Sequence, residues 1–212
     1  RKSEVLIPDE AHGTNPSSAS TAGYEVKPVK TDRETGMLDL DELDALLGEQ
    51  TAAIMLTNPS TLGIFNSQIR EIADRAHAVD AQLYYDGANL NAVLGRFRPG
   101  DAEFDVVHLN LHKTFGTPHG GGGPGAGPVG VRDHLTRFLP ISRVVKRSDN
   151  TYALEYDCPD AVGYIAPFYG NFLVCLRAYA YIRMLGREGL ENVSDNAVLN
   201  ANYLMNRLKA TY

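Results

Sequence analysis

Residues 83–113 read LYYDGANLNAVLGRFRPGDAEFDVVHLNLHK, and their pattern decides the fold. Leu83–Tyr85 and Asp105–Leu109 (DVVHL) are short apolar runs, too brief for helices, and each gives way at once to polar residues. Such runs fit strands buried on both faces, which are the strands of a parallel sheet. The stretch upstream supports this. Ala52–Leu56 (AAIML) is a stronger run of the same kind, and Ile69, Ile72, Ala73, Ala76 and Val79 after it are spaced for one helical face. Strand, helix, strand is the rhythm of a parallel α/β layer structure.

The rhythm continues toward both ends. Val5–Ile7 and Val26–Val29 are strand candidates, and Asn15-Pro16 is expected to cap and open a helix toward Ala22. Asp39 is expected to cap a second helix whose Leu40, Leu43, Leu46 and Leu47 form one stripe. Pro128–Val131 is also a strand, but no helical pattern lies between Lys113 and Val129. A parallel neighbour needs a crossover, so this strand is expected to run antiparallel. Tyr152, Leu154 and Tyr156 alternate as in another strand, and two helices are expected over about 168–186 and 188–209. The division that follows is a large domain over 1–160 and, over 161–212, a helical connection that starts a smaller C-terminal domain.

Composition narrows the function. The 212 residues are 43% hydrophobic and 22% charged with net charge −6, a globular composition without the basic footprint that nucleic acid requires. No membrane partner is expected either. The most apolar stretch, Tyr164–Leu185, is interrupted by Pro167, Asn171, Arg177 and Arg183. Cys158 and Cys175 fit no zinc spacing and no disulfide framework, which suggests a reducing compartment. A cytoplasmic setting is expected, or a mitochondrial matrix in a eukaryote.

In open parallel sheets, ligands bind beyond the carboxyl ends of the strands. Four polar clusters fall there: His12-Gly13-Thr14-Asn15, Thr57-Asn58-Pro59-Ser60, Asp86-Gly87-Ala88-Asn89 and Asn110-Leu111-His112-Lys113. One edge would thus carry a histidine, an amide, a carboxylate and an amine. Lys113 has two readings. It is either a surface lysine at a strand end or an amine desolvated by its neighbours into a nucleophile toward carbonyls. Asp86 likewise either caps the residues after it or pairs with a pyridinium nitrogen.

Seven of the twenty glycines lie between residues 120 and 130. The segment Pro118–Pro128 reads as a shaped loop whose amides could nest an anion, against the plainer reading of a flexible linker. Residues 125–130 (GAGPVG) match the dinucleotide string GxGxxG, but no strand precedes them and no helix follows, so that reading is rejected. His12, His108, His112 and His119 match no zinc spacing, and no metal is expected. Among them His12 and His112 are the candidates for chemistry.

On Asn58, Asp86 and Lys113 the sequence resembles the fold-type I pyridoxal-phosphate enzymes. More closely, it resembles the glycine decarboxylases, the P-proteins of the glycine cleavage system. The resemblance rests on His108-Leu109-Asn110-Leu111-His112-Lys113-Thr114-Phe115 followed by Pro118–Gly125, and on Asp86-Gly87-Ala88-Asn89-Leu90-Asn91-Ala92. Ala11–Pro16 and Phe168-Tyr169-Gly170-Asn171-Phe172 support it. The implied fold is a three-layer α/β/α large domain with a mostly parallel sheet and one antiparallel strand, plus the start of a small domain. The first part of the large domain, with part of the phosphate cup, is expected upstream of these residues.

The resemblance also implies roles. Lys113 would hold pyridoxal phosphate as a Schiff base, Asp86 would pair with the ring nitrogen, and Ala88 would pack under the ring. Asn58 would reach the phenolic oxygen, and Asn110 joins the cofactor-binding set. His112 and His12 are candidates for proton transfer or cofactor contact, and the glycine segment for shaping a lipoyl entrance. The implied reaction is decarboxylation of glycine with transfer of the aminomethyl group to a lipoylated H-protein. A companion subunit or N-terminal half and an oligomeric assembly are implied as partners. The competing readings are another fold-type I amino-acid decarboxylase and a non-catalytic scaffold, though a scaffold should have lost the lysine.

Overall fold

The computed structural model describes residues 2–119, 125–165 and 169–211. Its centre is a six-stranded sheet in the order β2-β1-β3-β4-β5-β6. The strands are β1 (Glu4–Pro8), β2 (Glu25–Val29), β3 (Thr51–Leu56), β4 (Gln82–Gly87), β5 (Val106–Leu109) and β6 (Val129–Val131). The first five pair in parallel and β6 pairs antiparallel with β5, as the missing crossover requires.

Three helices connect the first four strands: α1 (Thr14–Thr21), α2 (Leu40–Leu46) and α3 (Ile69–Ala78). Asp39 caps α2 as expected, its carboxylate accepting from the amides of Asp41 at 3.0 Å and Glu42 at 3.1 Å. Helix α1 departs from the expected start. Gly13 caps it, and Asn15 is a buried residue inside its first turn. The shift arises because His12 Nδ1 and His12 O already take the amides of Thr14 and Asn15, which closes the turn early.

Alternation along the strands sorts the core into two faces. Leu6, Ile54, Leu56, Leu83 and Tyr85 join Leu43 of α2 and Ile69, Ile72, Ala73 and Ala76 of α3 in the main cluster. Val5, Ile7 and Met55 form a smaller cluster with Ala19 of α1, with Tyr84 packed against it. The first face is sealed by apolar side chains; the second holds a cavity.

Beyond the sheet, α4 (Leu111–Thr114) is a single turn directly after β5. A two-stranded antiparallel ribbon follows, β7 (Arg143–Lys146) with β8 (Tyr152–Glu155). Strand β7 was not anticipated, because its RVVK pattern reads as charged surface and its partner lies across a turn. The last element, α5 (Phe172–Leu208), is interrupted at Gly186, whose φ of 63° only glycine adopts freely. Residues 172–185 and 187–208 therefore run as two helices, as the sequence suggested. Asn171 caps the first through its side chain, which accepts from Val174 N at 3.1 Å. Val174 and Ala178 reach the main cluster. Among the described residues no helix is long and apolar enough to cross a membrane.

Candidate active site

The parity of β4 builds the site. Tyr84 faces α1, so Asp86 and Ala88, two and four residues on, face the same way. Register carries this to the neighbouring strands. Met55 is opposite Tyr84 on β3, which puts Thr57 beside Asp86; His108 is opposite Asp86 on β5, which puts Asn110 on the same side. These side chains line one cavity of about 970 Å³, with His12 from the loop before α1 and Lys113 from α4. The far wall comes from Ala197, Val198, Ala201 and Asn202 of the second helix of α5. Arg96 ties that helix to the sheet domain through an ion pair with Asp195.

Asp86 is 9% exposed, and its Oδ1 accepts from Ala88 N at 3.0 Å. That single bond leaves the carboxylate capacity for a further donor in the cavity. Gly87 between them has a packing reason of its own. A Cβ there would stand 2.6 Å from the His108 carbonyl oxygen, so β4 and β5 approach only with glycine at this position. Burial, and secondarily the Asp86 charge, push the Tyr84 hydroxyl up to about 12. The same causes, in the same order, raise Tyr85 on the opposite face, where its hydroxyl donates to Asn58 O at 2.7 Å.

Two expected members are not brought to the cavity. Asn58 faces the other side of the sheet, 1% exposed, donating to Asn66 O at 3.3 Å and accepting from Asn66 N at 2.9 Å. It pins the loop after β3 and is not among the residues lining the cavity. The correction is one of parity, since a one-residue step on a strand changes the face. Thr57 lines the cavity instead, and its buried Oγ1 has no hydrogen-bond partner among the described residues. His112 is the second. The turn of α4 carries Lys113 to the cavity, while His112 packs edge-to-face on His119 with centroids 4.6 Å apart. Burial, then the neighbouring His119 and Lys113, lower the His112 pKa, and its buried Nδ1 has no partner among the described residues.

Lys113 is at the cavity and exposed, as in the first of its two readings. His12 is held by Thr14, whose amide donates to Nδ1 at 3.2 Å and whose Oγ1 lies 2.8 Å from the same nitrogen. Of the glycine segment Pro118–Pro128, Gly120–Pro124 lie outside the described residues, as does Phe168 of the supporting motif. His108, Thr57, Tyr84 and the α5 wall are the members that sequence reading missed. Register from Asp86 would have found the first three; the α5 wall is a long-range contact with no local signal.

An amine and a carboxylate on one lining, with an alanine between strand and loop, fit a flat heteroaromatic aldehyde with a ring nitrogen. The fold is that of the pyridoxal-phosphate-dependent enzymes. It is shared with mouse CSAD in its apo form (TM-score 0.70, 22% identity, 98% of this chain and 44% of that one). It is shared too with a Burkholderia pseudomallei sphingosine-1-phosphate lyase (TM-score 0.64, 18% identity, 89% and 42%).

Residues 2–142 match the model of the aminotransferase class-V family, and the chain belongs to that family. Among curated proteins it is similar to a probable glycine dehydrogenase (decarboxylating) subunit 2 of Treponema denticola, 56% identical over 211 residues. The protein of the same name from Halalkalibacterium halodurans is 58% identical over 207 residues. The alignments take in 100% and 98% of this chain but 43% and 42% of those proteins. The chain thus spans less than half the length of the relatives it matches.

Proposed function

We propose that this chain is the cofactor-bearing part of an enzyme that decarboxylates glycine and passes the aminomethyl group to a lipoyl arm. The observation that carries the reading is the shared cavity of Lys113 and Asp86 in a chain more than half identical to proteins named glycine dehydrogenase (decarboxylating) subunit 2. Pyridoxal phosphate, when bound, supplies an electron sink for the pair released when the bond to the carboxylate breaks.

The chain's own residues do the rest. Lys113 Nζ is the amine that would hold the cofactor. Asp86 is the carboxylate that would hold a proton on the ring nitrogen, a pairing that its burial would strengthen. Ala88 is the small side chain that would leave space for the ring, and Thr57 and Asn110 are polar residues that would help to hold the cofactor. In the proposed transfer the aminomethyl carbon, having lost carbon dioxide, would bond one sulfur of a lipoyl disulfide as the S–S bond breaks and the other sulfur takes up a proton to become a thiol. The acceptor is a lipoylated H-protein, and the companion is the first subunit that the relatives' name, subunit 2, implies. An oligomeric assembly and the division of the chain at 160/161 belong to the same proposal.

One observation favours a second reading, decarboxylation of a larger amino acid. The cavity is at the upper end of the few-hundred to about 1,000 Å³ usual for ligand sites. Exchange of labelled bicarbonate into the carboxyl group of glycine, run on the full-length protein with its companion subunit, decides between them. Exchange into glycine supports the proposal. Exchange into larger amino acids alone overturns it.

A further inference from the structure

The first turn of α1 holds a buried group that the reaction above leaves unassigned. Asn15 is 3% exposed and lines the cavity, and its Nδ2 has no hydrogen-bond partner among the described residues. Thr57 Oγ1, beyond the end of β3, is in the same state. A buried amide left unpaired destabilises a fold, so its presence in a binding cavity calls for a partner that the site supplies.

The topology says which groups Asn15 meets. Strands β1 and β2 pair in parallel with α1 between them, so α1 returns against the strand direction. Ala19 lies in the cluster with Met55, against which Tyr84 packs. Asn15 stands one turn earlier on the same helix face, about 5.4 Å nearer the carboxyl ends of the strands. Two residues along the strands, about 6.6 Å, lead from Met55 and Tyr84 to Thr57 and Asp86 on the same face. Asn15, Thr57 and Asp86 therefore occupy one level between α1 and the sheet, and all three line the cavity.

Asp86 is the charged acceptor at that level, and among the described residues its carboxylate receives one hydrogen bond, from Ala88 N to Oδ1 at 3.0 Å. An ionised oxygen attracts an amide donor more strongly than a hydroxyl does. We propose that Asn15 is a positioning residue whose Nδ2–H donates to the Asp86 carboxylate and aims it at the ring nitrogen of the cofactor. The second proton of the amide suits Thr57 Oγ1, so that both orphan atoms join one chain of bonds. The inference rests on the proposed function for the ring nitrogen. The bond belongs to the filled site, since hydrogen bonds at catalytic sites often tighten only on loading.

The test uses the full-length enzyme with its companion subunit, stripped of cofactor and titrated with pyridoxal phosphate. Asn15→Leu keeps the shape of the side chain and removes the donor. Its affinity is expected to fall about tenfold, while thermal unfolding stays native or rises, because Nδ2 has no partner to lose among the described residues. Asn15→Asp sets a second carboxylate beside Asp86 and is expected to weaken binding about 100-fold. Asn15→Ala repeats the comparison with less bulk.

A second arm separates positioning from packing. Deazapyridoxal phosphate has carbon in place of the ring nitrogen, so nothing remains for Asp86 to hold. Native enzyme and Asn15→Leu are expected to bind it alike. Adding Asn15→Leu to Asp86→Ala is expected to change pyridoxal phosphate affinity by less than about twofold. Equal losses for the two cofactors, or full additivity with Asp86→Ala, overturn the proposal. So does native affinity in a folded Asn15→Leu where Asp86→Ala is weakened. Native affinity in Asp86→Ala overturns the pairing of Asp86 with the ring nitrogen, and the proposal with it.

Discussion

The two faces of the sheet are made from the same strands and differ by one residue of parity. One face gathers Leu6, Ile54, Leu56, Leu83 and Tyr85 under α2 and α3, with Ile54, Ile72 and Leu83 fully excluded from solvent. The other starts in the same way, with Val5, Ile7 and Met55 under α1, and turns polar at the strand ends, where Thr57, Asp86 and His108 line the cavity. Asn58 and Thr57 are neighbours in sequence, yet one pins a loop and the other opens on the site. Stability and chemistry are thus divided between faces, not between regions of the chain.

If that division is right, a truncation on the sealed face should cost stability and leave the site's properties alone. Ile72→Ala, at a fully buried position, is expected to lower unfolding free energy by about 2–5 kcal/mol. Denaturant unfolding of the full-length protein measures it, and native-like cofactor affinity in the folded fraction completes the prediction. The converse substitution is Asp86→Ala. It should reduce turnover about 100-fold or more, in line with loss of one preorganised charge, while changing the unfolding midpoint little.

The neighbours 57 and 58 sharpen the comparison further. Thr57→Val should weaken cofactor binding by about tenfold and leave stability near native, since its Oγ1 has no partner to lose among the described residues. Asn58→Ala removes both bonds to Asn66 and should destabilise by about 1–3 kcal/mol. Calorimetry and cofactor titration on the pair would show the effects crossing over. Equal effects of the two on cofactor affinity would mean that the parity assignment is wrong.

The smallest effect is alkaline. Tyr84 and Tyr85 bind their protons more tightly folded than unfolded, and Tyr84 is raised from the ordinary 10 to about 12. Their contribution to stability is complete below pH 10 and is lost as pH rises toward 12. Unfolding followed between pH 9 and 12 should therefore show falling stability, and Tyr84→Phe should flatten the slope.

How far the sequence foretold this follows the range of the interactions. Strands, α2, α3 and the antiparallel β6 were legible because buried runs, a stripe of leucines and the absence of a crossover are local signals. The placement of Asp86 and Lys113 at one edge was legible for the same reason. Asn58 was placed at the edge with the cofactor residues but lies outside the cavity lining, because the motif marks the position of the turn and not the parity of the strand before it. His112 failed for a related cause: the single turn α4 rotates consecutive side chains apart, and nothing in the NLHKT run announces a helix. Nor could sequence alone place Ala197 and Asn202 across the cavity from Asp86, more than 100 positions away.

The central claim is that one face of the sheet delivers Asp86 and Lys113 to a common cofactor. Borohydride reduction of the full-length enzyme with pyridoxal phosphate, followed by peptide mapping, tests it most directly. The account predicts the cofactor fixed to Lys113, with labelling lost in Lys113→Ala. Labelling at a different lysine, or undiminished labelling in that variant, would contradict it.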